Sequence, residues 1–317
     1  MNAGRAQRGT ALLLALVMLA LVATLAAAMV NRQQRALAVE AAERARAQSA
    51  WVLSGALDWA RLVLREDARS GKVDDLGEPW AVPLAEARLS TFLAADREAP
   101  AADEGPEAFL SGVVRDLQAR FNVQNLVDGE GKPDPAQILA LQRLCLILGL
   151  GEDVATRIAA GLTAAMHEDD PDAPLLPTRF AQLRWFGIDD DTLARLQPYA
   201  TLLPEVTAIN VNTAPREVLA AVIAGLDLGG AERLLQRRAR APYKSSDEFK
   251  AELPQGIPEP AASTLAVGSK YFEVIGRLRL DERVFEERSI VVRHAERGGA
   301  VVAILRERRS IPPGTLP

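Results

Sequence analysis

Between Gly9 and Val30 the chain contains no charged residue, and this run limits what its N-terminal part can fold into. As an α-helix rising about 1.5 Å per residue, the stretch from Thr10 to Val30 spans about 32 Å, which matches a bilayer core of about 30 Å. Two arginines precede the run and two follow it, so the flanking charges orient the span only weakly toward a cytoplasmic N-terminus. We therefore expect a membrane-spanning helix over residues 10–30.

Two other interpretations of the run stay open. Small residues at 26–28 are typical of the cleavage site of a secretory signal peptide, although the run is longer than the usual apolar region of about 7–15 residues. A buried helix of a soluble protein is the third interpretation. Downstream, residues 31–64 contain no proline and one glycine, Gly55, and their apolar positions recur with helical spacing. The pattern predicts one continuous helix over 10–64, which favours an anchor.

Composition and motifs exclude several functional classes. The formal net charge of −5 argues against a dedicated nucleic-acid binder. The single cysteine, Cys145, excludes an internal disulfide, and its apolar surroundings predict an inert thiol. The sequence has no phosphate-binding Gly-rich loop, no His-Glu-x-x-His pair and no Gly-x-Ser-x-Gly turn, and His167 has no nucleophile nearby in the chain. We expect no enzymatic activity.

Period-two alternation predicts strands near both ends of the soluble part. One begins at Phe109, and three follow at 270–280, 288–293 and 300–306, where short polar connections indicate an antiparallel sheet. Between them, residues 122–267 have a helical pattern. Asp134 is the expected N-cap of one helix, with Pro135 in its first position.

Two further helix starts are expected later in this helical stretch. Thr213 is the predicted N-cap of a helix opened by Pro215. Ser245 or Ser246 caps another, and Glu248 completes a capping box.

The residues Arg8-Gly9-Thr10 ahead of the apolar helix resemble the class III signal of type IV pilins and type II secretion pseudopilins. The resemblance implies that a prepilin peptidase cleaves after Gly9 and that the new amine of Thr10 is methylated. Most members carry a glutamate at the fifth mature position, which here is Leu14. Among pseudopilins, the lack of this glutamate is typical of the K subunit.

Nearly the whole chain resembles the type II secretion system protein K (GspK) family. That resemblance implies an α+β pseudopilin fold with a long N-terminal transmembrane helix, a small antiparallel sheet and a large inserted all-α domain of SAM-like or helix-hairpin-helix-like modules. The expected divisions are a leader at 1–9, the N-terminal helix at 10–64, the first part of the α/β domain at 65–121, two helical modules at 122–205 and 206–267, and C-terminal strands at 268–317.

The family resemblance also implies a function and a location. The chain would be a minor pseudopilin in the bacterial inner membrane, single-pass, with its N-terminus in the cytoplasm and its soluble domain in the periplasm. It would initiate the pseudopilus and cap its tip during protein export. The implied partners are the I, J and H minor pseudopilins, the major pseudopilin and the prepilin peptidase, with no nucleic acid.

The segment 226–230 also resembles the hairpin of helix-hairpin-helix modules, whose backbone amides grip phosphate. Here Asp227 stands where an anion would approach, and a basic face follows, formed by Arg233, Arg237, Arg238 and Arg240. A membrane-anchored DNA-binding protein is therefore the main alternative function, and a conventional secreted binding protein is the second.

A cluster of acidic residues supports a calcium hypothesis. Ca²⁺ takes six to eight oxygen ligands and would relieve the repulsion among close carboxylates. The resembling family is associated with calcium in its helical domain, although its loop here is typically longer. The candidate ligands are Glu168, Asp169, Asp170 and Asp172. The alternative is a solvated acidic loop, and residues 128–134 are expected to form a turn with a helix cap.

Overall fold

The computed structural model describes residues 4–90, 107–166, 173–261, 263–294 and 298–311, and its side chains are described from Thr10 onward at the N-terminus. The chain divides into two units, Met1–Ser54 and Gly55–Pro317.

The first helix, α1, comprises Gly4–Ser70, as the lack of proline in this stretch predicts. It continues past Leu64, the last residue of the predicted segment 10–64. Arg69 and Glu66, three residues apart on the helix, form an ion pair at 2.7 Å, and the amide of Gly71 still donates to the Asp67 carbonyl. These contacts extend the helix to Ser70, where it ends.

The N-terminal part of α1 carries an apolar surface that the unit Met1–Ser54 does not bury. Every large apolar side chain between Leu12 and Val30 is more than half exposed. Within the described residues, one helix, Thr10–Ser70, is long and apolar enough to cross a membrane. Such a surface needs lipid or other helices as its surroundings.

Antiparallel strands form the sheet of the second unit. In the described part of the chain the strands are β1 Leu84–Arg88, β2 Ala108–Asp116, β3 Phe121–Asn122, β4 Ala200–Thr201, β5 Ile209–Asn210, β6 Leu265–Ala266, β7 Tyr271–Leu280, β8 Arg283–His294 and β9 Ala300–Ile311. Five of them form an antiparallel sheet in the order β1-β2-β7-β8-β9. The pairs β3-β4 and β5-β6 are short and parallel. The predicted α+β class and antiparallel sheet are confirmed, whereas β1 has no counterpart among the predicted strands.

One face of the sheet packs against the last turns of α1. Leu57 and Leu64 contact Phe272 and Val291 in a buried cluster that Trp80 completes. The Trp80 and Phe272 rings meet edge to face with their centroids 5.2 Å apart. The C-terminal part of α1 is thus part of the core of the α/β unit.

Six shorter helices of the described residues lie in the chain between β2 and β7, which are neighbours in the sheet. They are α2 Pro135–Ile147, α3 Asp153–Ala165, α4 Asp190–Leu196, α5 Arg216–Val222, α6 Leu228–Arg240 and α7 Ser246–Ala251, with 3-10 turns at Leu117–Ala119, Val123–Leu126 and Phe180–Phe186. A further 3-10 turn, Pro79–Ala81, precedes β1. We call residues 117–270 the helical segment. The boundaries predicted within it at 205/206 and 267/268 stay a prediction.

The helical segment holds two buried clusters. The first surrounds Leu141, Leu144 and Cys145 on α2. It includes a close approach at Gly161, where a Cβ atom would lie 2.3 Å from Cγ of Phe186. Burial raises the pKa of the Cys145 thiol to about 11, which agrees with the prediction of an unreactive thiol.

The second cluster surrounds the ring of Tyr243. Tyr243 meets Phe249 edge to face at 5.0 Å, and Val218 and Leu219 of α5 are fully buried beside them. These aromatic and aliphatic contacts join α5, α6 and α7.

The predicted helix caps are partly correct. Asp134 caps α2 by accepting from the amides of Ala136 and Gln137, as predicted. Ser245 caps α7, as predicted. The capping box is not formed as predicted, because Glu248 accepts from the amide of Lys244, at 2.8 Å, instead of from the amide of Ser245.

The predicted cap at Thr213 is wrong. Helix α5 begins at Arg216 with Pro215 at its N-cap position. The Thr213 hydroxyl donates to Oδ2 of Asp116, and this places it in a contact with the sheet instead of at the helix start.

Candidate functional site

The residues predicted for processing lie near the start of α1. Gly9 belongs to the part of which only the helical backbone is described, and Thr10 and Leu14 follow on the same helix. The Leu14 side chain is 61% exposed. Cleavage after Gly9 and methylation of Thr10 stay predictions.

A buried polar junction joins the helical segment to the sheet, and it consists of Asp74, Asp116, Asn210, Thr213 and Ser269. Oδ2 of Asp116 accepts from Nδ2 of Asn210 at 3.0 Å and from the hydroxyls of Ser269 and Thr213 at 2.6 and 2.5 Å. Its other oxygen accepts from the amide of Gln118 at 2.7 Å. One carboxylate at the end of β2 therefore holds residues from several segments.

Burial raises the pKa of Asp116, and the hydrogen bonds from Ser269 and Thr213 oppose that rise. A carboxylate with this many donors is the acceptor on which the local geometry depends. Asn210 extends the network, because its amide group also donates to the Asp74 carbonyl at 3.0 Å.

Next to the junction, carboxylates surround the guanidinium of Arg293. Nη1 of Arg293 donates to Asp67 at 2.8 Å, and Nη2 donates to Oδ1 of Asp74 at 2.6 Å. Glu78 completes a group whose carboxylate oxygens lie within 4.8 Å of one another. Arg293 already provides the positive charge inside this group, so the arrangement serves as an ion-pair network and not as a metal centre.

This crowding changes how the acids titrate. Burial and the nearby charge of Asp74 raise the pKa of Asp67, although Arg293 lowers it. Burial raises the pKa of Glu78 to about 7, against hydrogen bonds from the indole of Trp80 at 2.6 Å and from the amide of Asp75. The group therefore holds more acid than one arginine can neutralise.

The predicted calcium ligands Glu168, Asp169, Asp170 and Asp172, like His167, lie outside the described residues. Among the acids that follow them in the chain, Asp189 has a structural role, because it caps α4 through the amide and hydroxyl of Thr192. The 128–134 turn is as predicted.

In that turn, Oδ1 of Asp128 accepts from the amides of Glu130 and Lys132, each at 2.9 Å. Asp128 therefore organises the turn ahead of α2.

At the hairpin ahead of α6, a carboxylate takes the place where an anion would approach. Oδ1 of Asp227 accepts from the amide of Gly230 at 2.6 Å, so a carboxylate already occupies the helix N-terminus. Arg238 is turned inward and donates to the carbonyls of Val211 and Ala214, each at 2.7 Å. Its burial lowers its pKa to about 10.

A second arginine of the predicted basic face is also engaged within the chain. Arg237 forms ion pairs with Glu248 and Glu252, each at 3.0 Å. Two of the four arginines are therefore structural, which weakens the case for phosphate binding at this face.

Sequence reasoning missed the buried polar junction. The signal for it was present in the run from Ile209 to Thr213, where two asparagines and a threonine interrupt an apolar segment. Polar residues in such a position indicate buried partners. Their partners, Asp74 and Asp116, lie far away in the chain, and spacing cannot identify them.

Comparisons with known proteins agree on one family. Two family models, both described as Type II secretion system (T2SS), protein K, match residues 119–205 and 209–268. A protein of Pseudomonas aeruginosa named Type II secretion system protein K is 31% identical over 321 residues, covering 93% of this chain and 90% of the relative. A protein of the same name from Pectobacterium carotovorum subsp. carotovorum is 30% identical, covering 90% and 92%.

The fold is similar to a solved structure. A chain in the crystal structure of the GspK-GspI-GspJ complex from the enterotoxigenic Escherichia coli type 2 secretion system superposes with a TM-score of 0.65. The match covers 84% of this chain and 98% of that chain at 20% sequence identity, so it supports the fold alone.

Proposed function

The chain belongs to the type II secretion system protein K family, and on that basis we propose that it initiates the periplasmic pseudopilus and caps its tip. It is a minor pseudopilin of the type II secretion system. The observation that supports an assembly role best is the exposed apolar surface of α1 between Leu12 and Val30. A helix of this kind packs against lipid and against the helices of other subunits.

Leu14 supports a position at the tip. A glutamate in a membrane helix costs up to about 2.5–3.5 kcal/mol, the value at the helix centre, unless a partner matches it. In the family, the usual glutamate at this position is matched by the amine of a neighbouring subunit. A chain with Leu14 makes no such demand on a neighbour, so it can occupy a position where one neighbour is missing.

The helical segment supports the same position. It is inserted between two adjacent strands, β2 and β7, and its described residues contain six α-helices. A body of this size would obstruct its own copies along a tightly wound fibre. A single copy at one end of the fibre avoids that obstruction.

The partners follow from the same assignment. The solved relative is a GspK in complex with GspI and GspJ. We propose that this chain pairs with the corresponding I and J minor pseudopilins, joins the H type and the major pseudopilin, and is processed by the prepilin peptidase. The apolar span is consistent with single-pass anchoring, and we propose a cytoplasmic N-terminus and a periplasmic soluble domain.

N-terminal sequencing of the mature protein from cells tests the processing and separates the alternatives. A methylated Thr10 supports the pseudopilin assignment. A start at Met29 indicates a cleaved signal peptide, and an intact Met1 indicates a plain anchor.

Assembly at native expression levels tests the initiator role. We expect few pseudopili in cells that lack this protein, and normal assembly without it would contradict the role. Leu14→Glu is expected to impair assembly unless a partner amine lies nearby, whereas Leu14→Ile, which keeps the apolar character, serves as the control.

The DNA-binding alternative is tested by gel shifts with the full chain in detergent at two salt concentrations. The full chain is needed because Leu57 and Leu64 of α1 belong to the core of the α/β unit. Phosphate-driven binding must weaken steeply with salt. We expect no shift at either concentration.

The calcium hypothesis stays with Glu168, Asp169, Asp170 and Asp172, and calorimetric titration of the full chain with Ca²⁺ tests it. A saturable heat that the double variant Asp169→Asn/Asp170→Asn abolishes would support a site. Asp190→Asn, an exposed acid at the start of α4, is the control. Without saturable heat, the acids form a solvated loop.

A further inference from the structure

A cavity lies between the outer face of the sheet and the end of α4. It has a volume of about 410 Å³. The sheet contributes Arg115 from β2, Glu273 from β7 and Arg288 from β8, and Arg120 follows the turn after β2. The α4 side is formed by Ala194, Gln197 and Pro198.

The register of the strands explains why these charges converge. Arg115 lies directly opposite Glu273, and Arg288 lies opposite Ile275, two residues further along the same strand. Because alternate residues of a strand share a face, Glu273 and Ile275 point to the same side of the sheet. The three side chains Arg115, Glu273 and Arg288 therefore line one wall.

Positive charge exceeds negative charge in this cavity. Three arginines line it with one carboxylate, and Nη2 of Arg120 lies 3.3 Å from Oε2 of Glu273. Arg288 donates to Glu286 at 2.8 Å and lies opposite Glu307 of β9. Glu286 also pairs with two other arginines, and Glu307 also pairs with Arg179. The local balance therefore remains cationic.

Among the three arginines that line the cavity, Arg115 is the one whose side chain does not stabilise the fold. It is exposed, and it forms no hydrogen bond or ion pair with any residue in the described part of the chain. Burial lowers the pKa of the neighbouring Arg120, and the positive charges of Arg115 and Arg288 lower it further, although Glu273 opposes them. An anion in the cavity would relieve this repulsion.

The shape of the cavity favours an organic acid group over a bare ion. Guanidinium groups bind carboxylates through two parallel hydrogen bonds. Ala194 and Pro198 supply apolar surface that suits the methylene groups of an aspartate or glutamate side chain. The volume falls in the range of about 300–1,000 Å³ typical of binding pockets, which exceeds the size of a single phosphate.

We propose that this cavity binds an acidic peptide segment of a partner polypeptide, with its carboxylates held by Arg115, Arg120 and Arg288. The binding is a property of the single chain and does not require the tip role to be correct. It is therefore measured without any pseudopilus.

The test uses the full chain in nanodiscs of zwitterionic phosphatidylcholine, with the labelled peptide acetyl-Glu-Asp-Glu-Asp-amide as the probe. Acetyl-Gln-Asn-Gln-Asn-amide and inorganic phosphate are the comparison ligands. We expect saturable binding of the acidic peptide only. Arg115→Gln should weaken it about tenfold, the amount that one charge-assisted hydrogen-bonded pair supplies.

Arg283→Gln is the matched control, because Arg283 is also exposed and the variant loses the same charge at the far end of β8. Arg115→Lys should recover part of the affinity, since an ammonium keeps the charge but not the fork. Equal affinities for Arg115→Gln and Arg283→Gln would overturn the proposal. So would the absence of saturable binding, equal binding of the amide peptide, or binding of phosphate in place of the peptide.

Discussion

Nδ2 of Asn210 lies 3.0 Å from Oδ2 of Asp116, so a side chain of the helical segment is bonded to the last residue of strand β2. The same oxygen receives hydroxyl hydrogens from Thr213, in the helical segment, and from Ser269, just ahead of β7. The two ends of the helical segment are therefore held by one buried carboxylate. The attachment of the helical segment to the sheet therefore depends on the carboxylate of Asp116.

Replacing Asp116 by alanine should destabilise the protein by about 2–4 kcal/mol, because the donors that it satisfies would be left in a buried site. The free energy of unfolding of the full chain in detergent checks this value. Glu130→Ala, at an exposed turn position, is the control and should change stability by less than about 0.5 kcal/mol. Equal stability of the two variants would mean that the junction does not hold the helical segment.

Gly268 is the second point of attachment, because the backbone there has no room for a side chain. A Cβ atom on Gly268 would lie 2.4 Å from the carbonyl oxygen of Lys72. Gly268→Ala should cost about 1–3 kcal/mol, since backbone on both sides would have to move. Gly129→Ala, where a Cβ meets nothing within 4 Å, is the matched control. Thermal melting of both variants distinguishes crowding from a general effect of replacing glycine.

Local patterns in the sequence predicted the elements whose causes are local. The apolar run and the lack of proline predicted α1, the alternation after Lys270 predicted β7, and the Asp134-Pro135 pair predicted the start of α2. Each depends on neighbours within a few residues. The fold class followed from these elements and from the family resemblance.

Contacts between distant residues could not be predicted in the same way. Thr213 has the local features of a helix cap, but its hydroxyl bonds Asp116, which lies in another part of the chain. The cavity at Arg115 requires the register between β2 and β7 and the position of α4, which no local pattern gives. The basic face predicted on α6 is incomplete for the same reason, because Arg238 donates its hydrogen bonds to backbone carbonyls ahead of α5.

Glu78 should make the protein less stable as the pH rises. Its pKa is raised from the ordinary value of 4.5 to about 7 by burial, so the folded state favours its neutral form. The stabilisation is complete below about pH 4.5 and is lost as the pH rises through 7. At one pKa unit per about 1.4 kcal/mol, the upper limit of the loss is about 3 kcal/mol, and screening by water reduces it because Glu78 is only partly buried.

The variant Glu78→Gln keeps an oxygen that can accept from Trp80 and cannot ionise. Its free energy of unfolding should match that of the original chain near pH 4.5 and exceed it at pH 8. Glu130→Gln, at an exposed position, is the control and should show no such divergence. A constant difference between Glu78→Gln and the original chain at both pH values would contradict the shift.

Glu286 should show the opposite dependence, because arginines surround its buried carboxylate. Burial alone would raise its pKa, but the guanidinium groups of Arg288, Arg277 and Arg309 lower it to about 2. The atoms that contact it are Nε of Arg288 at 2.8 Å, Nε of Arg277 at 2.6 Å and Nη2 of Arg309 at 2.7 Å. The folded state therefore favours the charged form, whose stabilisation is present above about pH 4.5 and lost as the pH falls toward 2.

Glu286→Gln should accordingly cost about 3 kcal/mol at pH 7, since three arginines from β7, β8 and β9 lose their shared counter-charge. The cost should shrink through pH 4 and nearly vanish close to pH 2, where the original side chain is also becoming neutral. Urea unfolding of the full chain at pH 7, 4 and 2.5 measures this course. Glu282→Gln, exposed at the tip of the same hairpin, is the control. A cost that persisted unchanged in acid would mean that packing, and not the charge on Glu286, holds the three strands together at this point.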